Sequence, residues 1–473
     1  MQGDIEKPKE NPLGTENIYK LIVKFAVPSI VAMLVSALYN IVDQIFIGQG
    51  VGMLGNAATN VAFPLTTISI SIALLLGIGG ASNFNLRLGE KRTEKAVTIA
   101  GNTISFLAIF GILLAIIISL FLRPLLHAFG ATELVLPYAT TYTRIITIGM
   151  PFLIMTNGFC HLIRADGSPK YSMMCMLIGA AFNMIFDPIF IFVFKWGIAG
   201  AAWATILGQM LSFIVAALYL RKFKTAPIKK QHLKISGANL LQIARLGIAA
   251  CFNQLALLVV QITLNNSLRY YGALSQYGSE IPLASTGIIM KVNMIFFSIA
   301  IGIAQGCQPI NGYNYGAKNY ARVAQTLKTA LLSATAILSI GFVLFQLFPR
   351  EIISIFGDGS EEYFIFAERF FRIFLFATFL NGIHPITSNF FTSIGKASRG
   401  MLMSLTRQVL FLVPLILILP IFYGIDGIMY AGPIADVAAA LLGGYLIRKE
   451  LKNMKQLEAQ EEASNLLQTP IQS

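Results

Sequence analysis

Charged residues are scarce in this chain. They make up 12% of its 473 residues, against 56% hydrophobic residues, and the mean hydropathy is +0.70. Apolar runs long enough to cross a bilayer core of about 30 Å recur along the whole sequence. This composition excludes a soluble fold and indicates a membrane protein that crosses the bilayer many times.

The chain also lacks the short motifs of common enzymes. It has no Gly-x-x-x-x-Gly-Lys-Ser/Thr loop, so it does not hydrolyse ATP through a P-loop, and it has no His-Glu-x-x-His or Gly-x-Ser-x-Gly sequence. Its four cysteines all fall within apolar runs without metal-type spacing, which predicts free thiols rather than a disulfide framework. We expect neither an enzyme nor a resident cofactor.

Twelve apolar runs are long enough to be transmembrane helices. Their residues favour helices, and they lack the alternating pattern of a membrane barrel. The runs cover about residues 21–49, 57–86, 97–121, 137–163, 171–194, 197–220, 238–268, 283–313, 323–347, 363–392, 401–422 and 425–447. No cleavable signal is visible, because the polar segment 1–20 precedes an apolar run that is too long for one.

The positive charges lie mostly on one side of these predicted helices. The net charge is +13, but the predicted outer loops hold only Arg123, Lys195, Arg269 and Arg350. This skew is the positive-inside pattern, so both termini are predicted to be cytoplasmic in a multi-pass protein of the cell membrane. The basic segment 221–237 fits contact with anionic lipid, and nucleic acid is not an expected partner.

The second half of the chain repeats the first. Gly77-Ile-Gly-Gly has its counterpart in Gly302-Ile-Ala-Gln, and Asn157-Gly158 recurs as Asn381-Gly382. Since six helices separate the copies, both enter the membrane in the same direction, which predicts two pseudo-symmetric six-helix bundles around a central cavity. The predicted division is an N-terminal segment 1–20, a first lobe 21–220, a linker 221–237, a second lobe 238–447 and a cytoplasmic tail 448–473, of which the polar residues 451–473 are expected to have no fold of their own.

Two aspartates lie alone in apolar runs at matching depth. Asp43 lies seven residues before Gly50, and Asp187 lies eight residues before Lys195. At about 1.5 Å per residue, both carboxyls are roughly 10–12 Å from the same membrane face. A carboxylate in hydrocarbon is costly, so two at one depth indicate a shared site for a cation or a proton.

Two neutral side chains extend this candidate site. Asn183 lies one turn before Asp187 on the same helix face, and Thr205 lies about 12 Å deep in the next helix. With Asp43 they offer oxygen ligands suited to Na⁺, or two acids that share a proton. The alternative is that each acid pairs with an intramembrane arginine, of which Arg144 is the obvious candidate, and serves folding alone.

Three further residues are candidates outside this site. Pro28 lies fifteen residues before Asp43 in the same helix and is predicted to be a hinge, because proline removes a backbone hydrogen bond and bends a helix. Asn40 and Asn157 are candidates for the substrate path.

The second lobe does not repeat the two aspartates. It has Asp436, near the middle of the membrane, and Lys291, and these two either form an ion pair or line the substrate path. Arg407 lies near the end of the run 401–422 and is predicted to extend its charge to the interface.

The sequence resembles the multidrug and toxic compound extrusion (MATE) family over nearly its whole length. The motifs that carry the resemblance are Asn11-Pro-Leu-Gly-Thr-Glu, Lys24-Phe-Ala-Val-Pro28-Ser, Leu38-Tyr-Asn-Ile-Val-Asp43-Gln-Ile-Phe-Ile-Gly48, Arg164-Ala-Asp-Gly-Ser-Pro-Lys170 and Asn183-x-x-x-Asp187-Pro188. The resemblance is strongest to the bacterial branch whose coupling site lies in the first lobe. It implies a V-shaped pair of six-helix bundles that exports cationic amphipathic compounds in exchange for H⁺ or Na⁺. It also implies that the coupling ion is held at the positions of Asp43, Asn183, Asp187 and Thr205. In the other branch the coupling carboxylates lie in the second lobe, and here the corresponding positions are the neutral Asn253 and Asn381.

Two other functions remain open at this stage. A lipid-linked oligosaccharide flippase would share the general architecture, although a pyrophosphate group would favour an arginine-lined cavity. A membrane receptor or channel is the other alternative. The sequence does not distinguish H⁺ from Na⁺, and we expect a monomer that contacts membrane lipids and small cationic substrates.

Overall fold

The computed structural model describes residues 11–356 and 359–468, with side chains as far as Glu461. All regular structure within these residues is helical. The long helices are α1 Ile18–Gly50, α2 Met53–Gly89, α3 Thr93–Leu120, α4 Leu136–Ala165, α5 Pro169–Val193, α6 Gly197–Leu220, α7 Gly237–Ala273, α8 Glu280–Gly316, α9 Tyr320–Leu347, α10 Glu361–Phe374, α11 Ile383–Ser393, α12 Ala397–Tyr423 and α13 Ile425–Gln468. Short helices cover Pro12–Thr15, Leu122–Ala128, Lys230–Leu233 and Pro349–Ser354.

Eleven helices of the described chain are long and apolar enough to cross a membrane. The exception is the predicted span 363–392, which is not one helix: α10 and α11 are separated by a segment with a single 3₁₀ turn, Thr378–Leu380. Gly382 disfavours a continuous helix, while Pro385 suits the first turn of a new one, because its missing N–H has no partner to lose there. The twelve-span prediction therefore agrees with the structure, and the prediction of an unbroken tenth helix is wrong.

Two helices contain π-helical turns. The last turn of α5, Ile189–Val193, follows Asp187 and Pro188, and the middle of α12, Thr406–Leu412, includes Arg407. A π-helical turn inside an α-helix often marks a functional position. Both π segments lie next to charged residues inside the membrane.

The first halves of α1 and α7 cross between the lobes. Leu21 and Phe25 of α1 pack into an apolar cluster with Ile303 and Ile310 of the second-lobe helix α8. In the same way, Ile243 of α7 belongs to a cluster built from first-lobe helices. The predicted boundaries at 220 and 238 did not anticipate this exchange, which ties the two lobes together.

The crossings lie near the face of the bundle where α1 begins and α13 leaves the membrane, here called the terminal face. An added Cβ atom at Gly302 would lie 2.6 Å from Ile30 Cα, so α8 and α1 touch backbone to backbone. Two cross-lobe hydrogen bonds lie at the same level: Arg164 Nη1 donates to Gln305 Oε1 over 3.1 Å, and Gln308 Nε2 donates to Ser82 Oγ over 2.8 Å. The lobes are therefore joined at the terminal face.

The linker between the lobes is docked on the first lobe. The Asp166 carboxylate accepts hydrogen bonds from the backbone N–H groups of Lys224, over 2.6 Å, and Thr225, over 2.9 Å. Asn102 of α3 donates to the carbonyl of His232 over 3.0 Å. Burial raises the pKa of Asp166 above its ordinary value, although the hydrogen bonds that its carboxylate accepts from Lys224 and Thr225 lower the pKa.

The C-terminal tail begins as a continuation of the last membrane helix. Helix α13 continues from the membrane through Gln468, and Glu461 forms an ion pair with Lys318. Residues 448–468 thus extend the last membrane helix rather than forming a separate fold, and the cytoplasmic location of the tail stays a prediction. A helix that has already formed extends cheaply through good helix formers such as Glu, Gln, Lys and Ala.

Candidate functional site

The four predicted residues of the first lobe come together. Asn183 Nδ2 donates to Asp187 Oδ1 over 3.2 Å and to Thr205 Oγ1 over 3.1 Å. The carboxyl of Asp43 lies within hydrogen-bonding range of the carboxyl of Asp187. Helices α1, α5 and α6 therefore meet at one polar cluster, which we call the Asp43–Asp187 site.

Small residues bring α5 and α6 close enough for these contacts. An added Cβ atom at Gly179 of α5 would lie 2.9 Å from Gly208 O, and one at Gly208 would lie 2.8 Å from Gly179 O. Gly179 is one turn from Asn183, and Gly208 is about one turn from Thr205. The near contact of the two backbones lets a short amide and a short hydroxyl reach each other.

The site contains buried oxygen atoms without hydrogen-bond partners. These are Asp43 Oδ1, Asn183 Oδ1 and Asp187 Oδ2. Asp187 as a whole is fully buried and Asn183 is 3% exposed. Buried polar atoms are nearly always satisfied in folded proteins, so three such oxygens at one place indicate a site that takes up a proton or a cation.

Among the described residues, no basic side chain forms an ion pair with either carboxylate. The ion pairs of the described residues include neither Asp43 nor Asp187, and Arg144 is exposed. The alternative in which Arg144 pairs with these acids is therefore not what the structure shows. Two phenols lie nearby instead, since Tyr39 of α1 and Tyr142 of α4 both interact electrostatically with the two carboxylates.

Sequence reasoning missed both tyrosines. Tyr39 lies four residues before Asp43, so it shares a helix face with the aspartate and helix counting could have identified it. Tyr142 lies on a helix that sequence spacing does not relate to the site, and no signal in the sequence pointed to it.

The donor set suits a light cation better than a transition metal. Among the described residues no group of three or more His, Cys, Asp or Glu side chains could hold a metal ion. Two carboxylates, an amide oxygen and a hydroxyl are oxygen donors, which fit Na⁺, and the two adjacent acids equally fit a shared proton. Asp43, Asn183, Asp187 and Thr205 are the residues that would hold either ion.

Pro28 lies where α1 passes from one lobe to the other. It is buried in α1, in the part of the helix that packs against α8. Farther along the same helix, Ile47 packs with Ile191 and Ile198 of the first lobe. Asp43 therefore lies on the part of α1 that belongs to the first lobe. This placement is compatible with the predicted hinge, which stays a prediction.

Two of the candidates for the substrate path bond to their own helices. Asn40 is exposed, and its Nδ2 donates to Ser36 O over 2.6 Å. Asn157 Nδ2 donates to Leu153 O over 2.9 Å. Their role in substrate binding stays a prediction.

Of the two alternatives for Asp436 and Lys291, the ion pair does not form, and their place on the substrate path stays a prediction. Lys291 is exposed on α8, and Asp436 pairs instead with Arg407, whose Nε lies 2.6 Å from Asp436 Oδ1. Arg407 was expected to reach the interface, but it is 9% exposed. That expectation is wrong because α12 begins at Ala397, before the apolar run, which places Arg407 about 15 Å along the helix.

Comparison with known proteins agrees with this architecture. The family model MatE matches residues 28–189 and 249–418, which is most of both lobes. The chain belongs to the MatE family. It is 24% identical over 432 residues to the multidrug export protein MepA of Staphylococcus haemolyticus (strain JCSC1435), covering 91% of this chain and 93% of that protein.

Another relative and a solved structure also match most of the chain. The probable multidrug resistance protein YoeA of Bacillus subtilis (strain 168) is 26% identical over 395 residues, covering 80% of this chain and 83% of that protein. A solved structure of a multidrug resistance MATE family transporter in an outward-facing conformation matches with a TM-score of 0.89 at 23% identity, covering 95% of this chain and 100% of that one. The predicted family and the all-α membrane fold of two six-helix lobes are confirmed.

Proposed function

We propose that this protein is a secondary active exporter of cationic amphipathic compounds, which it exchanges for H⁺ or Na⁺ by alternating access in the cell membrane. The Asp43–Asp187 site carries this proposal, because it combines two carboxylates with unpartnered buried oxygens and has no basic partner. The names of MepA and YoeA describe multidrug export or resistance, which supports drug-like substrates.

Charge explains why a coupling ion would bind at the Asp43–Asp187 site. Two carboxylates in a buried, low-dielectric place repel each other and lose their hydration, so a structure that holds both ionised is costly. A proton or a Na⁺ ion offsets that cost. The site therefore gains an ion from one side of the membrane and can release it on the other.

Helix α1 offers a physical route from ion binding to a change in conformation. Its far half carries Asp43 against α5, whereas its near half packs against α8 of the second lobe. Binding of a cation between Asp43 and Asp187 would draw the far half toward α5. Because the near half is fixed to the other lobe, such a movement would bend α1 in the region of Pro28 and change how the lobes meet.

The direct test is export of a fluorescent organic cation from proteoliposomes. A pH gradient and a Na⁺ gradient are imposed separately, and Asp43→Asn and Asp187→Asn are compared with the unmodified chain. Asp426→Asn is the matched control, because Asp426 pairs with Arg369 over 2.8 Å outside the site. We expect one gradient to drive efflux, both site variants to lose it and the control to retain it.

Other results would point to another function. Full gradient-driven export by Asp43→Asn would remove the basis of the proposal. Binding of lipid-linked pyrophosphates in preference to organic cations would favour the flippase alternative. Steady ionic current without alternating access would favour a channel.

A further inference from the structure

The second lobe contains its own buried polar cluster, which the proposed function does not use. Arg407 of α12 and Asp436 of α13 form an ion pair with an Nε–Oδ1 distance of 2.6 Å. Both side chains are almost fully buried, at 9% and 4% exposure. An isolated charge in this position would be far more costly than the pair.

Irregular backbone surrounds this ion pair. Arg407 and Gln408 lie in the π-helical segment of α12. Asn381, whose side chain lies close to Asp436, is in the break between α10 and α11. Breaks at membrane depth are tolerated where backbone is buried in protein or lines a cavity, and in transporters they accompany ion and substrate sites.

The cluster also has polar atoms without partners. Gln408 is 1% exposed, and neither its Oε1 nor its Nε2 has a hydrogen-bond partner. Asn381 Oδ1 and His384 Nδ1 are likewise buried and unpartnered. The second lobe therefore holds one carboxylate and several amide oxygens, which are the same kinds of ligand that the first lobe offers.

The two clusters differ in one respect, which is their charge. In the first lobe two carboxylates have no basic partner. In the second lobe the guanidinium of Arg407 stands against the single carboxylate of Asp436, so that cluster is neutral. A free cation attracted to Asp436 would meet a fixed positive charge in direct contact with it.

We propose that the second-lobe cluster is a site for a monovalent cation whose place is taken by the guanidinium of Arg407. Asp436 and the amide oxygen of Asn381 are the ligands of that site. The second lobe then exchanges no H⁺ or Na⁺ during transport, and the coupling ion binds in the first lobe alone. The last statement rests on the proposed antiport, whereas the site itself does not.

The described part of the chain holds several ion pairs that involve α13. Asp436 faces Arg407 of α12, and His384 of α11 lies near Arg407. The remaining ion pairs that α13 makes with neighbouring helices and loops are Asp426 with Arg369, Glu450 with Lys396 and Arg399, and Glu461 with Lys318. Removing the charge of Arg407 thus leaves Asp436 without its ion-pair partner, while His384 is the titratable group that lies near position 407.

Cation binding to the purified full-length chain tests this proposal without any transport. The parent protein is Asp43→Asn/Asp187→Asn, in which the first-lobe carboxyls are gone. Binding of radioactive Na⁺ and the shift of the unfolding temperature with Na⁺ and with pH are measured, with choline as the control salt. The variants compared on this parent are Arg407→Gln and the charge-balanced Arg407→Gln/Asp436→Asn.

We expect the parent to bind no Na⁺ at the second lobe and Arg407→Gln to gain a saturable site for Na⁺ or a proton. The double variant should lose this gain. Na⁺ binding by the parent that disappears with Asp436→Asn would overturn the proposal, and so would a folded Arg407→Gln variant that binds neither ion.

A second comparison decides the matter if Arg407→Gln does not fold. The parent and the double variant are then measured for Na⁺ and proton binding alone. Equal binding by both is the expected result, and a loss of binding in the double variant would overturn the proposal. Because the parent lacks the Asp43–Asp187 site, either result is independent of whether the proposed antiport is correct.

Discussion

Replacing Gly302 by alanine perturbs the contact that joins the lobes at the terminal face. The new Cβ atom would lie 2.6 Å from Ile30 Cα, whereas carbon atoms pack best at about 3.5–4.0 Å. The obstructing atom belongs to the backbone of α1 and cannot rotate away. Helix α1 must therefore move by about 1 Å, which is the difference between these distances.

The cost follows from this overlap. Overpacking a core position destabilises the packed state by about 1–3 kcal/mol. If the lobes relieve the overlap by separating at the terminal face, a bias of that size raises the population of the separated state about 5- to 150-fold. Gly306→Ala should act in the same way, because its Cβ atom would lie 2.5 Å from Ala26 Cα.

Pulsed electron paramagnetic resonance measures the separation directly. Spin labels are placed at Lys91 and Asn319, which are exposed on the terminal-face loops of the two lobes. The control is Gly287→Ala on the same helix, where an added Cβ atom meets nothing within 4 Å. We expect Gly302→Ala to populate longer distances and Gly287→Ala to leave them unchanged. Identical distance distributions in the two variants would refute the reasoning.

Three other substitutions have defined outcomes. Asn183→Ala removes the donor to Asp187 and Thr205. Because hydrogen bonds to charged groups contribute about 1.5–3 kcal/mol, the cation concentration for half-maximal efflux should rise about tenfold or more. An unchanged concentration would show that the amide is not part of the site. Gln305→Leu leaves Arg164 without its cross-lobe partner, which destabilises the joined lobes by about 1–3 kcal/mol. The distance between the spin labels at the terminal face should therefore lengthen, as in Gly302→Ala. An unaltered distance would mean that this hydrogen bond does not hold the lobes together. Asp166→Asn weakens the acceptor for the linker N–H groups of Lys224 and Thr225, so hydrogen exchange should become faster there, and equal exchange would contradict the docking role. Since burial raises the pKa of Asp166, the native state binds a proton more readily than the unfolded state does. The free energy of unfolding should therefore fall as the pH rises from the ordinary carboxyl pKa to the raised pKa. This part of the pH dependence should vanish in Asp166→Asn.

Helix counting predicted the composition of the Asp43–Asp187 site because an α-helix has a constant rise. Asp43, Asp187 and Thr205 lie in uninterrupted apolar runs, so their distances from the membrane face could be read from residue numbers. The spacing of Asn183 and Asp187 likewise fixed a shared face. None of these inferences required knowledge of how the helices pack.

The errors arose where a helix does not follow its apolar run. Helix α12 begins at Ala397, among polar residues that the hydropathy pattern left outside the membrane span, so the depth of Arg407 was underestimated. The tenth span breaks around Asn381, although its apolar residues run on through the break. Hydropathy measures the preference of each residue for lipid and contains no information about backbone hydrogen bonds.

The exchange of helix halves between the lobes was also beyond the sequence. Leu21 and Ile243 are apolar residues on helices that could pack equally well against either lobe by composition. Their location is decided by the close backbone contacts at Gly302 and at Gly79, whose added Cβ atom would lie 2.9 Å from the N atom of Gly247. Such contacts depend on which helix faces the glycine, and a single sequence does not specify this.

Release of the coupling ion on substrate binding is the most direct test of the central claim. Antiport requires that substrate and cation weaken each other's binding by the same factor. The purified chain is loaded with radioactive Na⁺, or held in weak buffer with a pH dye, and an organic cation is added. We predict release of one of the two ions from the unmodified chain and from the Asp426→Asn control, and no release from Asp43→Asn or Asp187→Asn. Equal release from all four proteins would contradict the assignment of the coupling site to Asp43 and Asp187.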